Sequence, residues 1–413
     1  MTDLLPEGYR MSPLTAERVG EVLEAENSTY ALADPFPSYL PPLDRSWMVE
    51  ASDGSLAALH ASYPVRLPVP GGEVPSTALS WVSVNPGHRR RGLLHAMVTT
   101  HLERTAELGE PVTVLQATEE SIYGRFGYGR AADQLQATVP RKARLRYVPD
   151  GDDLDVTFTT AGPDDADLVD ALHRAAGRGR PGWLTRDSAA LRSWVLLDCP
   201  WYSPRPEPTR LVVVRTPDGD PRGYALLRRT PAWLPEGPRF SVAVQEAVAL
   251  DLDAYHRLWS FLLDLDLTAT VQTPALAVDD PLLVWLTDRR AAVPQLSDNL
   301  WVRLVDVGAA LAARRYAAPV DVVLDVRDRL LPANTGRWWV RSAGPGADTK
   351  ATRTDGSADL ALDVRELGAV YLGGPRLAAL VAAGLVTELS PGAAARADAA
   401  FGWPTAPLCT WEF

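Results

Sequence analysis

Cysteine is almost missing from this chain: among 413 residues only Cys199 and Cys409 carry a thiol. Two thiols are too few for a disulfide framework or a zinc site. No spacing of His, Cys and Asp resembles metal ligation either, so no metal is expected and both thiols are read as unpaired. Long apolar runs are missing too. No stretch could span a bilayer, and Met1 to Arg10 lacks the basic-then-apolar pattern of an export signal, which points to a cytoplasmic protein without a membrane partner. Lysine occurs only at Lys142 and Lys350, so nearly all positive charge is arginine, a skew uninformative about mechanism. The net charge of -11 argues against nucleic acid as a partner, since phosphate contacts need a basic face, and is compatible with a cationic amine.

What is present is length and apolar content. At 413 residues, 46% of them hydrophobic, the chain exceeds one core and two or three domains are expected. Met11 to Arg18 starts a helix in capping style, with Val19, Val22 and Leu23 on one face. Glu24 to Asp44 is rich in aromatic residues and proline and reads as a loop or broken helix. Trp47 to Glu50 and Leu56 to Val65 read as strands around the turn Ser52-Asp53-Gly54, and Pro70-Gly71-Gly72 turns the chain into the next strand.

The segment from Leu79 to Gly129 organises the rest. A strand (Leu79, Trp81, Val82, Val84) ends at Pro86-Gly87. From Arg90 to Leu94 a helix opens whose first N–H groups have no intrahelical partner. Leu94, Met97, Val98 and Leu102 share one face, which holds the helix on a sheet and leaves its N-terminus free. A free helix N-terminus beside arginines is a site for a phosphate or pyrophosphate, and Gly92 lets a ligand come close to the backbone. The loop is neither the Gly-rich loop ending in Lys-Ser/Thr nor the three-glycine dinucleotide fingerprint, so nucleoside triphosphates and nicotinamide cofactors are disfavoured. A second strand (Val112, Val114, Leu115) and the run Ser121 to Gly129 follow.

Val82-x-Val84-x-Pro86-x-x-Arg89-Arg90-Arg91-Gly92-Leu93-Leu94 resembles the acetyl-CoA pyrophosphate loop of the GNAT acyltransferases, Arg/Gln-x-x-Gly-x-Gly/Ala, with Leu94 where many carry Gly or Ala. Tyr123-x-x-Phe126-Gly127-Tyr128 resembles the segment after that superfamily's fifth strand, where a tyrosine protonates the departing thiolate. The run Ile122 to Gly129, with a chain of this length ending in Glu412-Phe413, is closer still to the enhanced intracellular survival (Eis) family of actinobacterial N-acetyltransferases.

Later segments fit that pattern. Tyr147 to Asp155 is the best candidate linker. Strands and helices from Val156 to Gln272 then repeat the order of the first segment, but Asp251-Leu252-Asp253 stands where the arginine loop would be, and two aspartates would repel a pyrophosphate. From about Pro294 a small mixed sheet with helices resembles a sterol-carrier domain; its strands are Trp301 to Leu304, Val320 to Val326, Arg337 to Ser342, Ala351 to Thr354 and Leu360 to Asp363. The expected fold is α/β (α+β): tandem GNAT domains at 1–148 and 149–293, the second degenerate, then a sterol-carrier-like domain at 294–413.

The resemblance implies acetyl-CoA as cosubstrate, held by Val82, Ser83, Val84, Arg89, Arg90, Arg91, Gly92, Leu93, Leu94, His95, Thr118 and Glu119. It implies Tyr123 as general acid and the α-carboxylate of Phe413 as general base, with Glu26 and Glu412 attracting the acceptor. The implied acceptors are aminoglycosides, lysine ε-amines and polyamine-like amines, and the implied assembly is a homohexamer. A terminal carboxylate, with an ordinary pKa of about 3.3 to 3.7, is a poor base unless burial raises it. The rival reading is a non-catalytic CoA-sensing or lipid-binding assembly protein.

Overall fold

The computed structural model describes residues 4–29, 42–147, 153–196 and 207–413. Residues 30–41 of the expected loop, 148–152 of the expected linker and Cys199 lie outside them.

The N-terminal part folds as strands β1 (Tyr9–Pro13), β2 (Ser46–Ala51), β3 (Leu56–Val69), β4 (Gly72–Val84), β5 (Val112–Leu115) and β6 (Gly129–Arg130), with helices α1 (Val19–Thr29), α2 (Leu93–Glu107) and α3 (Glu120–Tyr123). The expected helix start at Met11 is displaced. Tyr9–Pro13 pairs antiparallel with Ser46–Ala51 as an edge strand, where Pro13 is tolerated, and α1 begins only at Val19. β1 to β5 lie in order in one sheet. α2 buries Met97, Val98 and Leu102 of the expected face against it, worth roughly 1.5–3 kcal/mol for each such side chain, with Leu93 buried beside them and Leu94 only half-buried.

One strand of this sheet comes from far along the chain. Trp301–Leu304, expected in the C-terminal sheet, instead lies between β5 and β6 and pairs antiparallel with both. All four of its residues are buried. A run buried on both faces, Arg303 included, carries no alternation that would say which sheet it joins.

A six-stranded second sheet runs Thr138–Pro140, Thr268–Gln272, Phe240–Ala249, Pro221–Thr230, Arg210–Arg215, Asp155–Thr160, so its first strand comes from the N-terminal segment. Just before it the chain changes sheets: Asp133–Gln136 and Thr138–Pro140, one residue apart, belong to two different sheets. The helix Leu252–Asp264 covers the second sheet with Leu258, Trp259 and Leu262 fully buried. The third sheet runs Thr349–Arg353, Gly336–Ser342, Val320–Arg327, Leu360–Asp363, Val386–Glu388. Its core is continuous with that of the first: Val65, Val112, Val302, Leu324, Leu360, Phe401 and Trp411 form one buried cluster. No helix among the described residues is long and apolar enough to cross a membrane.

Candidate active site

β4 and β5 run parallel and pair through Ser76↔Val112, Thr77↔Thr113 and Ala78↔Val114, then separate. Beyond Ala78 that edge of β4 has no strand partner among the described residues. An extra residue on β4 sharpens the parting: Leu59 faces Ser83 but Ala61 faces Ser80, and within this bulge Trp81 adopts φ +54°. A bulky residue in the left-handed region is strained, and the Trp81 indole is held by a hydrogen bond of 2.6 Å to the Tyr63 hydroxyl. Val82, Ser83 and Val84 follow directly, facing the gap.

α2 starts at the end of that gap. The first intrahelical bond is Ala96 N–H to Gly92 O at 3.1 Å, so the amides of Leu93, Leu94 and His95 precede the ladder. Gly92 is the N-cap residue at φ +86°, and no side chain caps the terminus. Arg90, two residues earlier, is also left-handed at φ +62°. Successive turns of this kind aim backbone N–H groups to one side, which with the helix dipole and the exposed Arg89 and Arg90 forms an anion site.

The corresponding helix of the second unit shows the contrast. There Asp251 is the N-cap, its Oδ1 accepts from Ala254 N–H at 2.8 Å, and its Oδ2 binds the Arg222 guanidinium. The terminus is already occupied by the chain's own carboxylate. A carboxylate therefore stands at the place where a pyrophosphate would meet the helix amides.

A cavity of about 970 Å³ opens between the parted strands and α2. Its walls bring together Val82, Ser83, Val84, Arg89, Arg90, Gly92, Leu93, Leu94, His95, Thr118, Glu119 and Tyr123. Arg91 does not join them. Its guanidinium turns to the Tyr9 hydroxyl at 2.7 Å and to Gly87 O, bracing the loop from β1. His88 completes the lining with Ile122, Arg125 and Phe126, which belong to the run around Tyr123.

Tyr123 closes α3, only 7% exposed, with its ring edge-on to Tyr128 at 5.9 Å. This segment is fixed from the C-terminal side. The fully buried Arg303 donates from Nε to Phe126 O at 2.8 Å and from Nη2 to Asp328 Oδ1 at 2.7 Å. A side chain at Gly129 would collide with Arg365 O at 2.1 Å and Ala369 N at 2.2 Å, so the glycine lets the helix Val364–Val370 sit directly on β6.

The chain terminus arrives at the same place. Gln116, next after β5, accepts from the Phe413 N–H at 3.3 Å and donates to Trp411 O at 3.2 Å. The turn after β5 separates two cavities: Thr118 and Glu119 line the large one, and Gln116 and Ala117 line a second of about 380 Å³ that also holds Glu412. The Glu412 side chain reaches solvent there, yet protein surrounds it on most sides and the lost hydration raises its carboxyl above the usual range. Glu26 is not on either wall. It is 2% exposed beside Ser83, and burial, partly offset by the Ser83 hydroxyl, raises its carboxyl.

Uncapped helix amides, flanking arginines and a cavity of this size fit an acyl-CoA, and comparison with known proteins agrees. Acetyltransferase (GNAT) domain families match residues 11–131 and 182–304, and the sterol carrier protein domain family matches residues 307–410. The chain is thus a GNAT-type N-acetyltransferase with two such units ahead of a sterol-carrier domain, and acetyl-CoA is its cosubstrate. An uncharacterized N-acetyltransferase of Streptomyces coelicolor is 43% identical over 375 residues, 89% of each chain. N-acetyltransferase Eis of Mycobacterium tuberculosis is 35% identical over 303 residues, 70% of this chain and 71% of that one. The crystal structure of Eis1 from Mycobacterium abscessus, 34% identical, superposes with a TM-score of 0.80 over 98% of this chain and 100% of that chain. The chain belongs to the Eis family of N-acetyltransferases.

Proposed function

We propose that the protein transfers an acetyl group directly to amines, with Tyr123 as general acid and the terminal carboxylate of Phe413 as general base. The observation that carries this reading is the convergence on one turn, residues 116–119, of the anion-binding cavity that contains Tyr123 and the strapped chain end. Acetyl-CoA supplies an activated thioester carbonyl. The open edge of β4 at Val82 to Val84 offers backbone N–H groups to the oxygen that gains charge. As the C–N bond forms, the Phe413 carboxylate takes a proton from the amine. As the C–S bond breaks, Tyr123 gives its phenolic proton to sulfur; the carboxyl then releases its proton to solvent and Tyr123 regains one from it, so amine and thioester become amide and thiol. The loop arginines and the Leu93 to His95 amides bind the pyrophosphate.

The smaller cavity suits the acceptor's remainder. Gln116, Gln134, Gln245, Thr410, Asp298 and Glu412 line it, and Arg228, its one cationic wall residue among the described residues, is turned to Thr209. Amides, hydroxyls and carboxylates favour a hydroxyl-bearing cationic amine, in keeping with aminoglycosides, lysine ε-amines and polyamine-like acceptors. A cytoplasmic homohexamer remains part of this reading through the family resemblance. The third unit, whose sequence matches the sterol carrier family, uses Leu324, Val340, Leu360 and Leu367 in one buried core, which speaks for a structural role rather than for the lipid-binding alternative.

Thiol release from acetyl-CoA with an aminoglycoside, a polyamine and a lysine peptide as acceptors tests the proposal. Release that depends on the amine is expected. Tight acetyl-CoA binding with no release for any acceptor would overturn it in favour of the CoA-sensing alternative.

A further inference from the structure

The last six residues are tied alternately to two units of the molecule. On the first-sheet side, the Asn299 side chain holds Cys409 in both directions, accepting from its N–H at 2.7 Å and donating to its carbonyl at 2.9 Å. On the second-unit side, Leu408 N–H donates to Pro181 O at 3.0 Å and the Trp411 indole N–H to Leu184 O at 2.8 Å. Between these anchors the Thr410 hydroxyl enters a buried polar cluster. It donates to Glu246 Oε1 at 3.0 Å and meets His173 Nε2 at 2.9 Å. A hydroxyl has one proton, so with that proton on Glu246 the Nε2 of His173 is the donor and the Thr410 oxygen is held from two directions. Glu246 itself is fixed by Arg186 Nη2 at 2.5 Å and by the Tyr224 hydroxyl. Arg186, Glu246, His173 and Tyr224 are at most 2% exposed.

A buried charge cluster of this kind is an expensive way to obtain stability, because well-packed apolar side chains of similar volume serve as well or better. What it supplies is direction. Glu246 belongs to the strand Phe240–Ala249, His173 to the helix Ala166–Ala176, and both sit in the unit whose own cofactor terminus is self-capped. Phe413 lies three residues past Thr410.

We propose that this second unit positions the C-terminal carboxylate: Glu246, set by Arg186 and Tyr224, grips the Thr410 hydroxyl together with His173, which makes Thr410 a positioning residue for acetyl transfer. The inference rests on the reading of the Phe413 carboxylate as the base. Releasing residue 410 removes the buried anchor between Cys409 and Trp411 and loosens the aim that Gln116 gives Phe413, and a displacement of about 1 Å at a reacting group is enough to cost on the order of 100-fold.

The test uses the full chain. Thr410→Val keeps the shape and deletes the hydroxyl; it is expected to lower kcat about 10- to 100-fold, with acetyl-CoA affinity nearly unchanged and the chain still folded. Thr410→Ser should restore most of the rate. One residue added after Phe413 converts the carboxylate to an amide and should itself abolish most transfer, and Thr410→Val in that background should cost nothing further. A harmful extension with a harmless Thr410→Val overturns the positioning role alone. The role also falls if Thr410→Val is equally harmful in both backgrounds, since the damage is then general. An extension without effect overturns the carboxylate reading and the inference with it.

Discussion

The uncapped start of α2 makes a quantitative prediction. Replacing Gly92 by Asp, with Gly92→Ala as its control, places a carboxylate where the structure leaves the helix terminus open. Both side chains inherit φ +86°, a left-handed conformation that costs the folded state roughly 1–2 kcal/mol and costs it nearly equally in the two variants. Neither Cβ meets anything closer than Pro6 Cγ at 3.9 Å, so the free protein has room for both. The difference between them isolates charge. A carboxylate about 5 Å from a bound pyrophosphate is repelled by about 3 kcal/mol per charge pair at an effective dielectric constant of about 20. The loop is exposed, and salt with a Debye length of about 10 Å at 0.1 M removes part of this. A surviving penalty of about 1–2 kcal/mol corresponds to a 5- to 30-fold weaker complex. Calorimetric titration with CoA at low and high salt measures it: the Asp variant should bind more weakly than the Ala variant, and the gap should narrow as salt rises. Equal affinities at low salt would refute the placement of the pyrophosphate.

Three other outcomes are expected. Tyr123→Phe should keep the fold and acetyl-CoA affinity but lose about 10²- to 10⁴-fold in kcat with little change in KM, as for a general acid; full activity would reduce the residue to packing. Burial holds His60 and His101 down to about 3, with Arg104 adding to it for His60, and His60 and Arg45 for His101. The folded state therefore refuses protons that the unfolded chain accepts below about pH 6.5, and stability should fall as pH drops from there toward 3. By linkage each histidine costs up to roughly 2 kcal/mol at pH 5, and urea unfolding at pH 8 and pH 5 should show a shallower loss in His60→Leu; an unchanged pH slope in that variant would speak against it. Arg303→Met should cost about 3 kcal/mol or more, because it leaves the buried Asp328 without its cation, and should also slow transfer by freeing the Phe126 carbonyl; a melting temperature like wild type would show the ion pair to be dispensable.

The cofactor side of the site was legible because its signals are local. Proline and glycine end the strand, arginines follow, and apolar spacing of i, i+3, i+4 and i+8 aligns the helix, all inside a few turns of chain. Asp251-Leu252-Asp253 was legible for the same reason, and the self-cap adds its mechanism. Direction was not legible. Three consecutive arginines look alike in sequence, yet Arg91 turns to Tyr9 while Arg89 and Arg90 line the cavity. Long-range pairing was hidden too. Nothing near Trp301 says that it will lie against Leu115, nor anything near Arg186 that it will meet Glu246, because side chains at large sequence separation leave no periodic trace. Gln116 likewise gains its role only from a terminus nearly three hundred residues away.

The strand Trp301–Leu304 also sets a timetable for the molecule's birth. While a ribosome works from residue 130 to residue 304, β5 has an unpaired edge, for roughly 10 to 35 s at typical elongation rates. An open edge of Val112–Leu115 is a template for stray pairing, so the nascent chain has reason to need shielding during that interval. Competence comes later still. If the last carboxylate is the base, the polypeptide remains an ester of tRNA until termination and lacks that group altogether. Release by hydrolysis would then be the event that switches the enzyme on, and read-through past Phe413 would yield a protein that binds its acyl donor and cannot use it.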